Sequence, residues 1–156
     1  MRYRLRGFTL IELLIVVMIL GIMAVIAIAQ FTGVGLTARE NTLRESVLQM
    51  RTQVTAYTMQ HRDVAPSAAN FAAQLTSFTD EDGNVGTGAI YRFGPYVSSI
   101  PPNSMNGLRT IKLIDPDATP VADGTTGWIY QIVPGSFHIW VNSTGVDSNG
   151  KPFIEY

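Results

Sequence analysis

The sequence predicts an α+β chain: one long N-terminal helix, membrane-spanning in its first half, laid across a sheet of three or four antiparallel strands. Three observations carry that expectation. Residues 13–29 hold no charged or polar side chain, and residues 8–29 are interrupted only by Thr9 and Glu12. Leu43, Val47, Met50, Val54 and Tyr57 then recur at steps of 4, 3, 4 and 3 residues, the spacing of one helix face. Further on, residues 128–133 and 136–142 are β-branched and aromatic, and the turn Pro134-Gly135 between them favours an antiparallel hairpin.

Composition agrees with one compact domain carrying an appendage. Of 156 residues, 46% are hydrophobic and 15% charged, against roughly 25% charged in an ordinary soluble domain. The excess is concentrated at the N-terminus. Two Trp and six Tyr exclude disorder as a description of the whole chain. The absence of cysteine excludes a disulfide scaffold and a lipidated-cysteine anchor. Eleven basic residues stand against twelve acidic ones, but Arg2, Arg4 and Arg6 precede the apolar run, leaving eight against twelve from Phe8 onward. With no basic cluster there, nucleic acid is not an expected partner. The three arginines suit membrane topology instead: basic flanks stay cytoplasmic, which places the C-terminal part across the membrane.

As a helix, residues 8–29 span about 33 Å, which matches a hydrocarbon core of about 30 Å. Ala27-Ile28-Ala29 has the small-x-small form of a secretory cleavage site, but the apolar run exceeds the roughly 7–15 residues of a secretory signal core. Glu12 is the anomaly. A carboxylate near the centre of a membrane helix costs about 2.5–3.5 kcal/mol, and less near an interface. Two readings stay open. Glu12 reaches the cytoplasmic headgroups and does nothing more, or it meets a positive partner inside the membrane and so sets the register of neighbouring helices. An N-terminal amine on another copy is the natural partner, and it requires cleavage just upstream.

The stretch Arg6-Gly7-Phe8-Thr9-Leu10-Ile11-Glu12-Leu13-Leu14-Ile15-Val16-Val17 resembles the class III signal of type IV pilins and of the pseudopilins of type II secretion. The resemblance implies a leader of residues 1–7, cleavage between Gly7 and Phe8 by a prepilin peptidase, N-methylation of Phe8, and an assembly role for Glu12. It further implies the pilin fold and a filament-core helix over residues 8–30. Residues 31–156 would form the periplasmic or extracellular globular domain, including the second half of the helix. The implied partners are other copies of the chain in a filament, the peptidase, an inner-membrane assembly platform with other minor pilins or pseudopilins, and lipid before assembly. The implied location is the bacterial inner membrane, N-terminus inside, and afterwards a periplasmic pseudopilus or a surface pilus. Gly21 also matches a glycine common in the family's helix. One departure is Ala29, where many pilins carry proline; here Gly33 and Gly35 lie a turn beyond, each lowering helix propensity by about 1 kcal/mol.

The helix is expected to end near Arg62, because Pro66 disfavours helical geometry at Ala65. Residues 66–106 are turn-rich, with a short helix around 67–77 and an acidic loop at 80–84. Residues 94–103, GPYVSSIPPN, resemble the connection between helix and sheet in pseudopilin-like proteins. Strands are expected at 109–114, 128–133 and 136–142, with a last one at 151–156 after the turn Asp147-Ser148-Asn149-Gly150.

Catalytic patterns are absent, and the chain is not expected to be an enzyme. Gly33-Val34-Gly35-Leu36-Thr37-Ala38 fits a loose dinucleotide pattern but follows an apolar helix where a strand is required. His61 and His138 lie far apart in sequence without carboxylates at ligand spacing. Gly135-Ser136-Phe137 has only half of a nucleophile elbow. Asn142-Ser143-Thr144 fits the glycosylation pattern, which says little in a bacterial protein. Calcium is the one cofactor left open: Asp147 and Asn149, or Asp80, Asp82 and Asn84, are the available oxygens. Major pseudopilins, by the resemblance, carry a C-terminal calcium site, but residues 147–150 supply a single carboxylate, and a plain β-turn is the favoured reading. The functional expectation is thus a filament subunit of a type II secretion pseudopilus or a type IV pilus. Its short, cysteine-free globular part and the 94–103 connection favour the pseudopilus. The alternative is a monomeric membrane-anchored binding module in which Glu12 is incidental.

Overall fold

The computed structural model describes residues 8–156, and the side chains of all of these except residues 29–33. The chain divides into two compact units, Met1–Ala38 and Arg39–Tyr156. Helix α1, Leu10–Gln60, contributes to both. In the first unit its apolar side chains face outward all round, from Leu10 and Ile11 to Ile26 and Ile28. The segment Leu10–Ile28 is long and apolar enough to cross a membrane, at about 28 Å for 19 residues.

In the second unit α1 presents the predicted stripe to a core. Leu43, Val47, Met50, Val54 and Tyr57 are all buried and join Phe71, Leu75, Trp128, Tyr130, Ile139, Val141 and Phe153 in one cluster. The helix ends at Gln60, close to the expected Arg62. Arg62 and Asp63 take φ of 57° and 61°, and the Asp63 N–H turns back to the Thr58 carbonyl at 3.0 Å. This left-handed exit satisfies a terminal carbonyl of the helix. The expected short helix is α2, Phe71–Thr76, whose Phe71 ring lies 4.5 Å from that of Tyr130.

The sheet has order β1-β2-β3, with β1 at Ile111–Ile114, β2 at Trp128–Val133 and β3 at Ser136–Val141. β2 and β3 form the expected hairpin, Val133 opposite Ser136 and Trp128 opposite Val141. β1 departs from the expected antiparallel arrangement: it runs parallel to β2, Ile111 opposite Trp128. The cause is the link over residues 115–127, long enough for the crossover that parallel pairing needs and far longer than a hairpin turn. That crossover also covers the second face of β2. The Gln131 side-chain amide donates to the carbonyls of Asp115, Pro116 and Ala118 at 2.7–3.0 Å, and Trp128 through Gln131 are buried on both faces of the strand.

The fourth strand expected at 151–156 is instead a 3₁₀ helix, Phe153–Glu155. Pro152 has no N–H to give a ladder. The outer edge of β3 is also taken: Arg51 donates from Nε and Nη2 to the Ile139 carbonyl at 3.1 and 2.7 Å. The connection over residues 94–103 is docked on the sheet. Pro101 O accepts from Trp128 Nε1 at 2.9 Å, and the buried Asn103 amide donates to Gly127 O and Ser143 Oγ. Gly94 has φ +81°, and a Cβ there would sit 2.7 Å from Ser77 O, so only glycine fits.

Candidate processing and assembly site

Glu12 lies in the first turn of α1. The Thr9 N–H and the Thr9 hydroxyl both donate to Glu12 Oε2 at 2.9 Å, and the Glu12 N–H donates back to Thr9 Oγ1 at 3.3 Å. This is a capping box: Thr9 is the N-cap, Glu12 the third helical residue, and each satisfies a backbone N–H that the helix itself leaves open. In hydrocarbon, where water is not available to these groups, such closure within one chain matters more than at a wet surface. A carboxylate at this position also faces the positive end of the helix dipole. Among the described residues, Oε2 takes both incoming bonds and Oε1 takes none.

Phe8 precedes the cap and is exposed. Gly7, the expected last residue of the leader, lies outside the described residues, as do Arg2, Arg4 and Arg6. Thr9 is the site residue that the sequence reading passed over, although Thr9-Leu10-Ile11-Glu12 before an apolar run is itself a helix-start signature.

Residues 2–28 match the family model described as the prokaryotic N-terminal methylation motif. The chain carries a prepilin-type N-terminal signal. No curated protein and no solved structure matches the chain significantly. A prepilin signal implies, in general terms, processing by a prepilin peptidase and assembly into a filament. The apolar α1 segment that follows it fits membrane anchoring before assembly.

The remaining sequence candidates fall in separate places. His61 is buried, its ring stacked on Tyr57 at 3.8 Å, with Nδ1 2.7 Å from Tyr57 O and Nε2 3.0 Å from Thr79 Oγ1. His138 is exposed on β3 beside Trp140, so the two histidines form no common site. Asn142 is buried, and its amide donates to Asp123 Oδ1 and Thr126 Oγ1. Among the described residues, no group of three or more His, Cys, Asp or Glu side chains is placed to hold a metal ion.

In both acidic turns, donors from the protein itself engage the carboxylates. Asp147 Oδ1 accepts from the N–H groups of Asn149 and Lys151 at 2.8 and 2.9 Å. Its Oδ2 accepts from Arg44 Nη2 at 2.6 Å and the Tyr156 hydroxyl at 2.8 Å. A calcium ion needs six to eight oxygen ligands with free lone pairs, and hydrogens already fill the four that this carboxylate offers. At the other turn, Asp80 accepts from Asp82 N–H, Asn84 N–H and the Asn84 side chain, while Asp82 pairs with Arg62 at 3.1 Å. As arranged here, the Asp147 carboxylate has no lone pair left for a cation other than Arg44.

Proposed function

We propose that the protein is a prepilin cleaved between Gly7 and Phe8, N-methylated on Phe8, and polymerised through its apolar helix into a helical filament. The observation that carries this reading is the helix start itself. In a span whose apolar side chains all face outward, the sole carboxylate is capped through Oε2, while Oε1 accepts no bond among the described residues. That open Oε1 is suited to receive the amine of Phe8 from a neighbouring copy, while the cap keeps the helix terminus closed. Charge pairing in a medium this apolar is strongly favoured once both groups are already there, so it orients an incoming subunit.

Between the two filament types, the docked 94–103 connection and the cysteine-free sequence support a pseudopilus of a type II secretion system. Deletion in the native host separates the two: loss of secreted enzymes supports the pseudopilus, and loss of long surface fibres supports a type IV pilus. The first experiment is the N-terminal sequence and intact mass of the protein purified from that host. A chain starting at Phe8 and heavier by one methyl group supports the prepilin reading. A chain that still starts at Met1 removes the amine that Glu12 is to meet, and the filament reading falls in favour of a monomeric membrane-anchored binding module.

A further inference from the structure

We infer that the Arg44 guanidinium is the built-in cation of the 147–151 turn, neutralising the buried Asp147 carboxylate so that the turn needs no metal ion. The turn is tight: Asp147 N–H donates to Lys151 O at 2.8 Å and Gly150 N–H to Asp147 O at 2.9 Å, with Gly150 at φ +83°. It points a carboxylate inward, and the Asp147 side chain is 1% exposed. A carboxylate taken out of water needs either a cation or several strong donors. Here the cation comes from α1, 103 residues away in sequence.

The surroundings are arranged for a guanidinium. Arg44 donates from Nη2 to both Asp147 Oδ2 and the Tyr156 hydroxyl, at 2.6 and 2.8 Å, and its Cζ lies 4.5 Å over the Tyr156 ring. The Lys151 ammonium lies 5.7 Å from the same ring. One helical turn before Arg44, the buried Glu40 receives the other half of the turn: Ser148 N–H donates to its Oε1 and Ser148 Oγ to its Oε2, both at 2.8 Å. Glu40 and Arg44 share a helix face by their spacing. Together they grip two consecutive turn residues with opposite chemistry, an acceptor for Ser148 and a cation for Asp147. The grip holds the C-terminal segment, whose Phe153 enters the core.

The inference is independent of filament assembly and is tested on the full processed protein in detergent, by thermal melting and by limited proteolysis mapped over residues 144–152. Wild type is expected to give the same melting temperature and the same protection in excess EGTA and in millimolar Ca²⁺. Arg44→Ala is expected to raise the cleavage rate in the turn by roughly tenfold, and Asp147→Asn added to it should restore part of the protection by removing the stranded charge. A rise in wild-type melting temperature or protection with Ca²⁺ overturns the inference. So does an Arg44→Ala protein cut no faster than wild type, or a double variant cut as fast as the single one. The wild-type comparison stands even if a variant fails to fold.

Discussion

The two compact units put their apolar residues to opposite uses. In Arg39–Tyr156 the large apolar side chains of one helix stripe, α2 and the sheet bury one another, and polar groups that go inside are hydrogen-bonded. In Leu10–Ile28 every apolar side chain faces outward. The first pattern is a folded domain that carries its own stability. The second is surface waiting for another medium, first lipid and then, on the proposed reading, other copies of the same helix. It follows that substitutions in one unit should change assembly without stability, and in the other stability without processing.

The largest expected effect falls on the unit with no core. Glu12→Ala is expected to leave cleavage and the melting temperature unchanged while filament yield in a sheared fraction drops to near background. Normal filament numbers from that variant would sink the pairing of Glu12 with the neighbouring amine. The mirror experiment is Leu43→Ala. Leu43 is completely buried, and removing such a side chain costs about 2–5 kcal/mol. Unfolding by urea should show that loss, while the fraction of chains cut before Phe8 stays at the wild-type level. A processing defect of equal size would mean that the two units are not separable in this way.

How much of this was legible in the sequence follows the same division. The N-terminal signal is local: basic leader, Gly7-Phe8, Glu12 and an apolar run are contiguous, so reading along the chain suffices. The stripe from Leu43 to Tyr57 and the hairpin of β2 and β3 were legible because periodicity and a Pro-Gly turn are local too. What stayed hidden depends on contacts between distant residues. Nothing in residues 109–114 says which way β1 pairs; the direction is set by the crossover, which closes over the far face of β2. Residues 151–156 look like a strand until Arg51 is seen on the edge they would have used. The partnerships of Arg44 with Asp147 and Glu40 with Ser148 span 103 and 108 residues and leave no trace in spacing. Thr9 is the exception, a local capping signature that the conspicuous charge of Glu12 overshadowed.

A pH titration sharpens the comparison at intermediate size, because the ionisable groups with displaced pKa outside the helical span belong to the folded unit. The Lys112 ammonium, with Thr125 and Asn142, holds the Asp123 carboxyl below the usual range. The Lys151 N–H does so for Asp147, the Asn84 side chain for Asp80, and Arg62 for Glu81. Each folded pKa lies below its unfolded value, so as acid is added the unfolded chain takes up protons first. Stability should be level above about pH 5 and fall as pH drops through the range below about 4. At the alkaline end burial pushes Tyr57 up to about 12, a raised pKa, so its contribution is whole below about pH 10 and is lost as pH climbs toward that value. Urea midpoints measured across both ranges check the two limbs; a midpoint that rises on acidification would contradict the carboxylate assignments.

The smallest effect is expected at Thr9, and it separates two roles of Glu12 that Glu12→Ala removes together. Thr9→Ala deletes the hydroxyl that donates to Oε2 and that accepts from the Glu12 N–H, but keeps the Thr9 N–H bond to the same oxygen. The carboxylate itself is retained, so pairing with a neighbouring amine survives while the helix start is less firmly closed. Filament yield should therefore fall only partially, and Thr9→Ser, which keeps the hydroxyl, should restore it. If Thr9→Ala proves as severe as Glu12→Ala and Thr9→Ser rescues it, closing the helix terminus is the function of Glu12, and its negative charge is secondary.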